Sequence, residues 1–151
     1  MTFKTIVLGY DGSTYAIDAL ETAVDLSSDE STIHVVTAFD APTIREINDL
    51  YASVPEEFTR NIDLVTTQRG PLDKAEIMLD ERGVNHKGHF VDEDPASAIL
   101  DVADKVDADL IVVGSRGLGR ASRLVRGSVS SKIANHAQRS FLVVHPPEED
   151  D

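Results

Sequence analysis

The chain has 151 residues, of which 41% are hydrophobic, no cysteine and a formal net charge of −13. That length suits one domain with a full core, and the lack of cysteine excludes disulfides and thiolate metal sites. The negative charge excludes bulk binding to nucleic acid, whose phosphates would be repelled over most of the surface.

The elements follow in order. Residues 3–8 (FKTIVL) read as a first strand ending at Gly9. The apolar stretch is too short for a signal peptide or a membrane span, so a cytoplasmic protein with no membrane partner is expected. Gly9-Tyr10-Asp11-Gly12-Ser13 follows. Gly12 permits a tight turn, and Ser13 or Thr14 suits a helix cap. Ala16, Ile17, Ala19, Leu20, Ala23, Val24 and Leu26 then form an apolar helical face. Asp11 therefore lies at the carboxyl end of a strand, where open α/β sheets bind ligands. A metal or ribose contact and a turn-forming Asx residue both suit it.

Residues 32–39 (TIHVVTAF) read as the second strand, with His34 inside it as a structural residue. A short helix is expected around 44–51, and a long one from 55 or 56 to about 82, broken or kinked at Gly70-Pro71. Residues 85–91 (NHKGHFV) are a weakly patterned third strand. His86, His89 and Asp92 suggest a metal, but a spacing of three puts the two imidazoles on opposite faces of a strand. Asp92-Glu93-Asp94-Pro95 reads as a helix start, acidic in its first turn with proline near its first position. That helix turns Ala98, Ile99, Val102, Ala103 and Val106 inward.

Leu110-Ile111-Val112-Val113 is a run suited to a strand buried on both faces of a parallel sheet. Gly114, Gly117, Gly119 and Gly127 come next, then Ser128 and a helical pattern through Val129, Ile133 and Ala137. A strand, a glycine-rich loop and a helix suit phosphate, because glycines admit an anion close to backbone N–H groups and a helix N-terminus adds donors and partial positive charge. Charge agrees. From residue 110 to 147 there is no Asp or Glu, where the average density would place about seven. The same window holds Arg116, Arg120, Arg123, Arg126, Lys132 and Arg139. A last strand spans 141–145 (FLVVH), stopped by two prolines, with 148–151 an acidic tail beyond a single domain of 1–147.

The loop is not a Walker A motif, since Arg120 and Ala121 stand where Lys and a hydroxyl are needed, and Ser122 breaks G-x-G-x-x-G. It fits G-x2-G-x9-G-S at Gly114, Gly117, Gly127 and Ser128. Alternation of strands and helices by itself gives an α/β fold, a five-stranded parallel open sheet with helices on both faces. Asp11, the end of the second strand near Ala38 and the loop from Gly114 then share one sheet edge.

The signature, with IVLGYDGS near the start, the DP-A-AIL helix start, D-LIVVGSRG, GSVSSKI and S-FLVVHPP at the close, resembles the universal stress protein family, in its ATP-binding subgroup. The resemblance covers nearly the whole chain. It implies strand order 3-2-1-4-5 in a Rossmann-like, adenine nucleotide alpha hydrolase-like fold. It implies ATP, or ADP or AMP, as ligand with Mg²⁺ or Mn²⁺. By the same resemblance, Gly9, Tyr10 and Asp11 would bind the cofactor, with Asp11 near the phosphates and at the metal. Ala38 would offer backbone to adenine. Val113, Gly114, Arg116 and Gly117 would line ribose and phosphates, and Gly127, Ser128, Val129 and Ser130 would hold the phosphates. Arg116 stands where the family often has His, and its fixed charge can fork onto phosphate. Family members usually dimerise through the last strand, here residues 141–145.

The expected function is a nucleotide-responsive stress or signalling module with slow or no ATP hydrolysis and an unidentified protein partner. A nucleotide hydrolase or nucleotidyl-transfer enzyme and a nucleotide-free dimeric interaction protein are the alternatives. No catalytic residue is evident. The excess of 17 Asp over 10 Glu, with 5 Lys against 9 Arg, resembles proteins of salt-accumulating halophiles; an ordinary acidic cytoplasmic protein is the other reading.

Overall fold

The computed structural model describes residues 3–39, 49, 52, 64–115 and 128–146. Nine elements run through them: β1 (Thr5–Gly9), α1 (Thr14–Asp25), β2 (Thr32–Ala38), α2 (Leu64–Glu81), β3 (Asn85–Val91), α3 (Pro95–Val106), β4 (Leu110–Gly114), α4 (Ser128–His136) and β5 (Ser140–Val144). The strands form one sheet in the order β3-β2-β1-β4-β5. Every neighbouring pair is parallel, so all five carboxyl ends lie along one edge. This is the fold class and strand order expected.

Two cores sandwich the sheet, divided by the period-two alternation of each strand. Ile6, Leu8, Ile33, Val35 and Val112 face Ala19 and Leu20 of α1 and Leu72 and Leu79 of α2. Val7, Val36, Ile111 and Val113 face Ile99 and Val102 of α3 and Ile133 of α4. The central strands β1 and β4 contribute to both, which is why their sequences are continuous apolar runs.

Helix ends are set locally. Ser13 caps α1, its hydroxyl accepting from the Ala16 N–H at 3.2 Å. Asp94 caps α3, its carboxylate accepting from the Ser97 N–H at 3.2 Å, with Pro95 in the first turn. The acidic residues therefore precede α3 and none lies in its first turn. At the amino edge, Asp109 accepts the backbone N–H groups of Lys4 and Thr5 at 2.9 and 2.8 Å, which ties β1 to the start of β4.

The break expected in the long helix is also corrected. No break occurs at Gly70-Pro71, and α2 continues through Pro71. A proline crowds both the N–H and the Cβ of the preceding residue, and Gly70, having no Cβ, relieves part of that clash. Strand limits move by one or two residues, with β1 at Thr5–Gly9 and β5 at Ser140–Val144. The helix start expected near 55 and the acidic tail lie outside the described residues.

Candidate functional site

The β1–α1 turn is built tightly. The Tyr10 N–H donates to the Val36 carbonyl at 2.9 Å, and the Thr37 hydroxyl donates to the Tyr10 carbonyl at 2.8 Å. Both backbone groups of Tyr10 are thus occupied, and its ring is 2% exposed, packed in the first core with its hydroxyl 4.0 Å from the Met78 sulfur. Tyr10 supports the edge from below, with its side chain packed into the first core. Asp11 comes next, half-buried. Its Oδ1 accepts the Ser13 N–H at 2.9 Å. Gly12 supplies the left-handed φ of 83° that the turn needs. Burial pushes the Asp11 carboxyl above its ordinary range, against the lowering pull of its bonds to Ser13. The Asx turn and the possible ligand contact thus coexist: one oxygen holds the turn, and the desolvated group favours a neutralising cation or proton.

The end of β4 meets this turn. A Cβ on Gly114 would lie 2.8 Å from the Tyr15 carbonyl oxygen and 2.9 Å from its carbon. Only glycine lets β4 pass under the first turn of α1. Val113 is fully buried, so what it offers a ligand is backbone. Gly9 is likewise packed, under Ile99 of α3. Ser115 donates its N–H to the Val144 carbonyl at 2.9 Å. Ser128 opens α4, followed by half-buried Val129 and Ser130. Arg116, Gly117 and Gly127 lie outside the described residues. Ala38, at the end of β2, pairs with Val91 and is half-buried. The parallel register therefore brings Gly9 to Asp11, Ala38, Val113, Gly114 and the chain's return at Ser128 to the carboxyl edge.

Two of the six cations counted in the acid-free window are spent structurally. Lys132 bonds the Asp94 carboxylate at 3.1 Å and the Ser97 hydroxyl at 2.8 Å, joining α4 to the start of α3. Arg139 sits at the opposite edge and pairs with Asp104 at 3.0 Å. Arg116, Arg120, Arg123 and Arg126 carry what remains of the charge argument.

Sequence reasoning missed two features. Thr37 has no periodicity signal as a lock on Tyr10. Phe39 and Phe90 stack at 4.0 Å between centroids, 21° from parallel, with the Arg69 guanidinium 5.7 Å from the Phe90 centroid. This aromatic ledge closes the β2–β3 end of the carboxyl edge, beside Ala38. The clue lay in one Phe at the end of each strand in a chain with only 5% aromatics.

Among the described residues no group of three His, Cys, Asp or Glu could hold a metal. Asp11 fits as one carboxylate ligand of a metal whose remaining ligands are phosphate oxygens and water, the usual arrangement for Mg²⁺. His86 and His89 part as expected. His86 bonds Asp80 of α2 at 2.7 Å, whereas His89 bonds His34 on the other face at 2.9 Å.

Comparison with known proteins agrees with this architecture. Universal stress protein YxiE of Bacillus subtilis is 30% identical over 148 residues, covering 94% of this chain and 99% of the relative. The structure of hypothetical protein MJ0577 superposes with a TM-score of 0.75 at 21% identity, covering 99% of this chain and 100% of that one, a likeness of fold. A universal stress protein solved in complex with cAMP superposes with a TM-score of 0.66 at 26% identity, covering 96% and 98%. The sequence model of the Universal stress protein family matches residues 2–145. The chain belongs to the universal stress protein family.

Proposed function

We propose that this protein binds an adenine nucleotide, ATP by preference, with Mg²⁺ or Mn²⁺, and acts as a nucleotide-responsive stress or signalling module. The observation that carries the reading is the meeting of the burial-raised Asp11 carboxyl, Ala38 and Gly114 at one sheet edge, where the glycine signature joins β4 to α4. The cAMP complex of a relative of similar fold supports an adenine nucleotide as the ligand.

The residues divide the work. Ala38 offers backbone to the base. Gly114, Gly117 and Gly127 leave room for phosphate against main-chain N–H groups. The backbone N–H groups and positive dipole end at the start of α4, with Ser128 and Ser130, meet negative charge. Asp11 holds the metal, which would neutralise phosphate charge. Hydrolysis is slow at most, since the half-buried Asp11 is committed to its turn and to a cation, and the sequence offers no evident base to activate water. The chain pairs as a homodimer along β5, whose Phe141 and Leu142 are exposed on an edge strand.

Gly117→Glu tests the site. A carboxylate placed against the phosphates abolishes nucleotide binding while circular dichroism and melting stay as in the parent. Unchanged ATP affinity in the folded variant contradicts the assignment.

A further inference from the structure

Away from the carboxyl edge, the middle of the β2–β3 pair carries a second gathering of basic groups. His34 stands opposite Lys87 in the parallel register. Period two puts His89 on the same face as Lys87. His34 Nδ1 and His89 Nε2 are 2.9 Å apart, with ring centroids 5.2 Å apart. For that N···N distance the rings stand nearly as far apart as they can, so they meet nose to nose. One ring donates its N–H and the other accepts. At this N···N distance, two lone pairs converging on one metal ion would bring the centroids closer together.

The surroundings are cationic. Burial, then the Lys87 ammonium, holds His34 below the ordinary imidazole range. Burial, then His34, Lys87 and Lys105, does the same for His89. No carboxylate figures among those influences. Lys87 faces the rings from β3 and Lys105 from α3; on β2 the flanking Ile33 and Val35 point into the opposite core. Both lysines are exposed and both imidazoles half-buried. Among the described residues neither lysine forms an ion pair. In a chain of net charge −13, two of five lysines and two of five histidines are gathered here; of the nearby α3 carboxylates among the described residues, Asp101 is engaged with Glu93 and Asp104 with Arg139.

We propose that His34, Lys87, His89 and Lys105 form a proton-coupled site for a small tetrahedral dianion of the phosphate class. The anion docks between the two ammonium groups and reverses the field that keeps the imidazoles neutral. One imidazole then takes a proton from solvent, and the 2.9 Å contact becomes a charge-assisted N–H⁺···N bond. Two ammonium groups and the captured proton balance a dianion better than a monoanion. Binding therefore consumes a proton, tightens as pH falls through the imidazole range and weakens in salt. It does not depend on the nucleotide reading, since His34, Lys87 and His89 lie within β2 and β3 and Lys105 in the last turn of α3, away from the carboxyl edge.

Sulfate is the first probe, because its charge is constant over the pH range used; inorganic phosphate is the second. The ring nitrogens of the full chain are followed by ¹H–¹⁵N NMR at constant ionic strength, with calorimetry in two buffers of different ionisation enthalpy. Sulfate is expected to move the His34 and His89 resonances together and to bind about tenfold tighter at pH 6 than at pH 8, with uptake approaching one proton. The exposed double variant Lys87→Glu, Lys105→Glu keeps its melting curve and loses the response. Imidazole resonances that ignore both anions, or respond equally in the double variant, overturn the proposal. So does an anion response confined to the backbone of residues 128–130, which would place the anion at the candidate nucleotide edge instead.

Discussion

Replacing Gly114 by alanine isolates the contact on which the candidate site rests. The added Cβ would stand 2.8 Å from the Tyr15 carbonyl oxygen, 2.9 Å from its carbon and 3.1 Å from the Tyr15 Cβ. Two of those atoms are backbone in the first turn of α1, which Ser13 and Asp11 fix from the other side. Neither α1 nor the core strand β4 can yield cheaply. Overpacking of this kind costs about 2–3 kcal/mol, which for a chain of this size lowers Tm by about 4–12 °C. Gly9→Ala is the control. Its Cβ would come even closer to a neighbour, 2.6 Å, but that atom is the Ile99 Cδ1 at the tip of a rotatable side chain. A rotamer change relieves it, and the expected cost is about 1 kcal/mol. Thermal melts of both variants by circular dichroism decide the matter. Gly114→Ala should melt well below Gly9→Ala and lose nucleotide affinity as the loop shifts. Equal melting, or the reverse order, refutes the claim that the backbone at Tyr15 makes position 114 glycine.

Asp11→Asn should keep the turn, because the amide oxygen still accepts the Ser13 N–H. Asp11 has a folded pKa raised by burial, so ionisation costs stability as pH rises through that value. The variant therefore melts higher than the parent at pH 7, the gain disappears as pH falls below the ordinary carboxylate range, and Mg²⁺-dependent nucleotide affinity drops. Leu142→Lys on the exposed β5 edge should convert a dimer to monomer in light scattering, with little change in monomer fold. With a net charge of −13, Tm should climb on going from low salt toward about 1 M, where the Debye length is about 3 Å; a flat melting profile argues against a halophilic surface.

The sheet was legible because its central strands announce themselves. The run from Leu110 to Val113 and the β1 segment are buried on both faces, which leaves no polar alternation to confuse the reading. α1 and α3 were legible from apolar faces at helical spacing and from their caps. Local rules misled at Pro71: the lost N–H and the ring's clash with the preceding turn argue for a break, yet α2 runs on through it. The site was partly legible: glycines at the ends of β1 and β4 mark close approaches, and Asp11 marks the edge. The roles of Tyr10, Thr37 and Lys132 were not legible. Each depends on a partner distant in sequence: Met78 for the Tyr10 hydroxyl, the Tyr10 carbonyl for Thr37, and Asp94 and Ser97 for Lys132. The His34–His89 bond was hidden for the same reason, since only strand register brings the two rings together.

Calorimetric titration of the protein with ATP, ADP, AMP and cyclic AMP, in high salt with Mg²⁺ and with phosphate release followed in parallel, tests the central claim most directly. Saturable binding of one adenine nucleotide per chain, tightest for ATP and with negligible phosphate release, is the predicted result. Absence of binding by all four nucleotides would contradict it and leave the glycine loop a structural connection between β4 and α4.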